Sequence, residues 1–142
     1  MYRAIDLSFY IVAKCMAEHH PIGNLHLQRM LFNIQKCFVQ QQGEPAFYDE
    51  IEAWPIGPVV PGVYNHYFLR YGAMPITYIG ESYLLCPEDV GCINSIIEHV
   101  REKTLWDLFR ELHGSRGAWA HVYNFGIGNH SKIPNDLIKL YG

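Results

Sequence analysis

The chain has 142 residues, a formal net charge of -3 and a pI near 6.2. Apolar residues make up 49% of it, which excludes a disordered chain, and the slight acid excess argues against the clustered basic surface that nucleic-acid binding needs. No apolar run approaches the ~20 residues of a membrane-spanning helix, so one globular domain over residues 1–142 is expected.

Ile5, Phe9, Val12, Ala13 and Met16 recur at helical spacing and predict a first helix over residues 4–18, with Ile11 and Cys15 widening its apolar stripe. His19-His20-Pro21 stops it, Gly23 turns the chain, and Asn24 reads as the N-cap of the next helix. That helix is expected over residues 25–42. Leu27, Met30, Leu31, Ile34, Cys37 and Phe38 form its buried face, and Gln28, Arg29, Gln35, Lys36, Gln40 and Gln41 cover much of the other side. Gly43 and Pro45 end it. The short connection between the two helices favours an antiparallel hairpin.

The stretch from Glu50 to Tyr64 holds three prolines, two glycines and a tryptophan. Pro55 and Pro58 forbid a helix through it, so residues 51–54 read as a short strand followed by a rigid corner. A helix then begins at residues 59–63 with Pro61 in its first turn, where a missing N–H costs nothing, and runs to Tyr71 before Gly72. Residues 76–85 alternate partly and are expected to form a strand, bulge or hairpin able to pair with residues 50–54. Pro87-Glu88-Asp89 opens a further helix whose apolar stripe is Ile93, Ile96, Ile97 and Val100. Thr104 caps a short helix expected to bury Leu105, Leu108, Phe109 and Leu112. Residues 118–124 read as one or two helical turns, residues 126–130 as irregular, and Pro134 as the start of a last helix carrying Leu137, Ile138 and Tyr141. The expected fold is therefore α+β and mostly α-helical, with a small two- or three-stranded antiparallel ribbon.

Candidate chemistry is sparse. Cys15, Cys37, Cys86 and Cys92 form no Cys-x-x-Cys pair, and none of the Cys and His positions has the spacing of a zinc site. A cysteine hydrolase would need a thiolate beside a histidine, and no local nucleophile signature is present. Gly126-x-Gly128 lacks the strand and third glycine of a dinucleotide loop. Neither a catalytic residue nor a cofactor nor a metal is expected. Reduced cysteines, and an N-terminal stretch interrupted by Arg3 and Asp6, suggest the cytoplasm. Two readings of the corner stand side by side. Trp54 packs the core of the bend, or Trp54, Tyr64 and Tyr67 line a groove for a partner segment, with Glu50 and Glu52 as an acidic docking edge.

Glu52-Ala53-Trp54-Pro55-Ile56-Gly57-Pro58-Val59 resembles the Ala-Trp-x-x-Gly-Pro-Val signature of the phage-associated SocA/GepA-like family, the Panacea antitoxin domain. Leu27-Gln28-Arg29-Met30-Leu31-Phe32 is similar to that family's Leu-x-Lys-Leu-Leu-Tyr helix, with Arg29 for lysine and Phe32 for tyrosine. Gly43-Glu44-Pro45-Ala46-Phe47, Leu112-His113 with Trp119, and Ile133-Pro134 extend the resemblance, although Ala118 replaces the usual proline. The resemblance implies an antitoxin that binds a cognate protein toxin and in some members hands it to a Clp-type AAA+ protease. It adds Gly57, Pro58, Val59, His113 and Trp119 to the expected partner-binding residues. A rival expectation is a phage or mobile-element protein that inhibits a host defence or protease component.

Overall fold

The computed structural model describes residues 1–77, 80–81 and 83–142. Its centre is the helix α2 (Asn24–Gln41), whose apolar residues Leu27, Met30, Leu31 and Ile34 are fully buried. Around it pack α1 (Ala4–Ala17), α3 (Pro61–Tyr71), α4 (Val90–Arg101), α7 (Asn135–Tyr141) and strand β2 (Gly57–Val59). The remaining elements are β1 (Glu52–Trp54), α5 (Leu105–His113), α6 (Ala118–Tyr123) and β3 (Ser131–Lys132), with 3-10 turns at Pro87–Asp89 and Asn124–Gly126. The strands form one antiparallel sheet in the order β2-β1-β3. This is the expected α+β, mostly helical class with a three-stranded ribbon.

The corner is a β-hairpin. Trp54 pairs with Gly57 across the two-residue turn Pro55-Ile56, and Ala53 pairs with Pro58. Gly57 takes φ 125°, which only glycine adopts without strain. Pro58 is tolerated because β2 is an edge strand and its missing N–H faces away from β1. The next outward donor, Val60 N–H, is bound 2.9 Å from Gln28 Oε1. A proline and a glutamine thus leave this edge little with which to recruit another strand.

Several sequence expectations are corrected. The buried face of α1 is Ala4, Leu7, Ser8, Ile11, Val12 and Cys15, while Ile5, Phe9, Ala13 and Met16 are half-buried. The helix is apolar almost all round, so spacing alone does not orient it. Gly23, not Asn24, is the N-cap of α2. Asn24 is instead buried, its Nδ2 donating to the Tyr64 carbonyl at 3.0 Å. Gln28 and Gln35 are buried too, although the pattern placed them on the covering face. Gln35 Oε1 accepts from the backbone N–H groups of Ala46 and Phe47 at 2.8 and 3.2 Å, and its Nε2 donates to the Phe47 carbonyl at 2.9 Å. The amide supplies irregular chain with the bonds a neighbouring strand would give. In α5, Leu105 and Phe109 are 58% and 49% exposed rather than buried.

The expected strand in residues 76–85 does not pair with β1, whose two flanks are occupied by β2 and β3. Among the described residues of that stretch none is in a strand, and Tyr78, Ile79 and Ser82 of the reading lie outside the described residues. Ile76 is fully buried and its N–H donates to the Ile22 carbonyl at 2.8 Å. The true third strand, β3, arrives from the segment read as irregular. Left-handed backbone at Asn124, Phe125 and His130 ends α6 and turns the chain back. His130 N–H then reaches the Ala53 carbonyl at 2.7 Å. Gly128 is required there, since a side chain would run into the Val122 carbonyl.

Candidate protein-interaction site

Two rows of aromatic rings meet at the hairpin. The first runs from His130, stacked on Trp54 at 4.6 Å between centroids, to Tyr64, edge-on to Trp54 at 5.0 Å, and on to Phe68, stacked on Tyr64 at 5.4 Å. The second follows α5 into α6. Trp106 stacks on Phe109 at 5.3 Å, Phe109 lies 4.2 Å from His113, and His113 meets Trp119 edge-on at 5.7 Å. The spacing of α5 creates this row, because residues three and four apart share a helix face. The rows are tied where Trp119 Nε1–H donates to the Trp54 carbonyl at 2.8 Å.

The structure brings some expected residues together and separates others. Trp54 is half-buried, and its indole N–H donates to Glu52 Oε1 at 2.9 Å. Tyr64, also half-buried, lines a surface groove with Phe68 and Ile56. Tyr67 does not join them. It is 4% exposed and its hydroxyl lies 2.8 Å from Ser8 Oγ in the core, where burial pushes the phenol pKa up. Trp119 is 6% exposed and acts as a clamp on β1, while His113 is exposed beside it. Gly57, Pro58 and Val59 are buried in β2, with Pro58 and Val59 forming part of a groove floor. The acidic edge is engaged locally. Glu52 holds Trp54, Glu50 lies 3.5 Å from Lys132 Nζ, and Asp49 accepts from the Ala4 N–H at 3.0 Å. Trp54 therefore both packs the bend and stands at the edge of an exposed aromatic surface.

Sequence reasoning missed the side chains that make that surface. Leu105, Trp106 and Phe109 of α5 and Ile56 of the turn line a groove of about 450 Å³. A second groove of about 440 Å³ shares Leu25, Ile56 and Leu105 with it and continues past Tyr64 and Phe68. Trp106 is 61% exposed. The signal was present in Leu105-Trp106-Asp107-Leu108-Phe109, where four apolar residues in five span a wider arc than one contact face buries. Arg29 lies in the floor of the first groove. Burial pushes its pKa down, with the nearby Glu111 charge opposing, yet a guanidinium keeps its proton. Among the described residues no group of three or more His, Cys, Asp or Glu side chains is placed to hold a metal. Among those residues, no helix is long and apolar enough to cross a membrane.

The family described as Antitoxin SocA-like, Panacea domain matches residues 27–120. That span runs from α2 into α6 and contains the hairpin, all of α5 and the lining of the first groove except Leu25. Antitoxin SocA of Caulobacter vibrioides (strain NA1000 / CB15N) is 38% identical over 55 residues, which are 39% of this chain and 29% of that protein. The alignment thus spans less than a third of the relative's length. No solved structure matches the chain.

Proposed function

We propose that this chain, which belongs to the family of SocA-like antitoxins with the Panacea domain, binds and neutralises a cognate protein toxin by direct contact. The observation that carries the reading is the family match over residues 27–120, because those residues build the exposed aromatic surface. Trp106, Phe109 and Ile56 expose large apolar area, and tryptophan and other aromatics contribute heavily to binding hot spots when such area is covered. The hairpin beneath is held by the Trp54–Trp119 hydrogen bond and stacked rings, so little ordering is needed on association. No catalytic step enters this reading. Delivery of the bound toxin to a Clp-type protease is the finer form of the same proposal, and it needs the toxin-bound complex as its substrate.

The test is co-expression with the product of the adjacent open reading frame. Growth arrest by that product, relieved by this chain, and co-purification of the two are expected. Persistent arrest with abundant soluble chain, together with no complex by size-exclusion chromatography, would overturn the reading. Protease delivery predicts faster toxin turnover with this chain present in a strain carrying the protease than in one lacking it.

A further inference from the structure

Arg29 reaches from α2 into the groove of about 450 Å³ between the hairpin turn and α5, and among the described residues it is the one charged side chain lining that groove. Its Nη1 donates a long hydrogen bond, 3.4 Å, to the Leu108 carbonyl. None of the ion pairs among the described residues includes it. Glu111, the acid whose charge it feels, is held by Lys103. A guanidinium carries five N–H donors in a planar fork, so one weak bond leaves most of its capacity for a ligand. Around it the walls are apolar and open, with Ile56, Leu105, Trp106 and Phe109 between 40% and 61% exposed.

We propose that this groove seats a segment of a partner protein carrying large apolar side chains beside one carboxylate, and that Arg29 receives the carboxylate. The two halves of the occupant follow from the two halves of the lining. Apolar walls reward the burial of apolar side chains, and a cation partly stripped of water is best compensated by a bidentate acid. A nucleic acid fits less well. Its phosphates recur along the strand and call for a track of cations, whereas the described lining of this groove holds a single one in a chain of net charge -3. The assignment rests on the reading that the chain works by protein contact, and it names the surface and the chemistry that the reading leaves open.

A phage-displayed library of random peptides panned on the full chain tests it. Enriched sequences should carry Asp, Glu or a terminal carboxylate next to Leu, Phe or Trp. A synthetic peptide of such a sequence should bind the chain, and Arg29→Gln should weaken it by roughly tenfold to a hundredfold. Arg29→Lys, which keeps the charge and loses the fork, should weaken it less. Replacing the peptide's acid by its amide should reproduce the loss and abolish the difference between Arg29 and Arg29→Gln chains. Trp106→Ala, at an exposed position, should weaken binding with the melting temperature kept, and it serves if Arg29→Gln does not fold. Absence of enrichment, enriched peptides without an acid, or affinity indifferent to Arg29→Gln and to the peptide amide overturns the proposal. So does saturable oligonucleotide binding that Arg29→Gln removes. Failure of toxin rescue with the peptide results intact removes the antitoxin reading alone, while rescue untouched by Arg29→Gln and Trp106→Ala removes the groove alone.

Discussion

Gln35 shows how much one buried amide holds. It is 1% exposed, binds the backbone of residues 46 and 47 through both ends, and reaches Asn135 Oδ1 at 3.3 Å. Residues 42–51 have almost no regular structure, so their buried peptide groups depend on such bonds. Gln35→Leu keeps an apolar body and removes every partner. The N–H groups of Ala46 and Phe47 and the Phe47 carbonyl are orphaned, and at about 1–3 kcal/mol for each buried group a loss of at least about 3 kcal/mol is expected. Gln41 is exposed at the end of the same helix, and Gln41→Ala should lie within about 0.5 kcal/mol of the parent chain. Urea unfolding of the two variants compares them. Equal midpoints would show that the amide faces water in solution. Gln28 repeats the arrangement, with Oε1 on Val60 N–H and Nε2 on Asn24 Oδ1 at 3.0 Å.

At the scale of elements the hairpin depends on glycine at one position, while the helix that follows it tolerates a replacement. A side chain at Gly57 would sit at φ 125° and place its Cβ 3.1 Å from Arg29 Nη2 and 3.4 Å from Leu112 Cδ2. Backbone strain of that kind costs roughly 1–3 kcal/mol, so Gly57→Ala should lower stability by about 2 kcal/mol. At Gly62, in the first turn of α3, an added methyl group would meet nothing within 4 Å among the described residues, and Gly62→Ala should be neutral or stabilising by up to about 1 kcal/mol. Opposite shifts in melting temperature are the outcome to look for, and a harmless Gly57→Ala would refute the turn geometry. The helices were legible because their caps and breakers are local, as Thr104 with Asp107 and Pro61 illustrate. The hairpin was legible only as a bend, since its pairing depends on a two-residue turn whose left-handed demand falls on Gly57, after the turn itself. β3 was not legible, because two exposed residues carry no alternation. Of the candidate site, Trp54 and Tyr64 were named because a proline-rich bend flanked by aromatic residues reads as a groove wall. Trp106, Phe109 and Arg29 were missed because amphipathic spacing assigns an apolar residue to the core and a charge to solvent, and here both are reversed.

The molecule as a whole is closed by acids that burial keeps protonated. Tyr2 ties the N-terminus to two distant segments, its hydroxyl donating to Asp89 Oδ2 at 2.5 Å and accepting from Cys86 N–H at 3.1 Å, while its own N–H reaches the Ala46 carbonyl. Burial pushes the Tyr2 phenol well up, with the Asp89 carboxylate adding to it. Between α2 and α4, Cys37 and Cys92 place their sulfurs 3.0 Å apart, and burial with the neighbouring thiol pushes Cys92 up to about 11. Cys15 and Tyr67 are raised by burial as well. In the unfolded chain these groups lose their protons first, Cys92 near its ordinary value of 9.0. Between that value and about 11 the unfolded state therefore binds fewer protons than the folded one, and stability falls as pH rises. The full contribution is present below about pH 9 and is lost as each folded-state pKa is passed. The melting temperature should accordingly decline steadily from about pH 9 upward, with Cys92 contributing across its own window. Cys92→Ala should flatten the part of the decline between about pH 9 and 11, and iodoacetamide should modify Cys92 of the folded chain faster as pH climbs through that range. A decline unchanged in Cys92→Ala, with alkylation already fast at neutral pH, would mean that the thiol pair is open to solvent and that α2 and α4 are not packed against each other there.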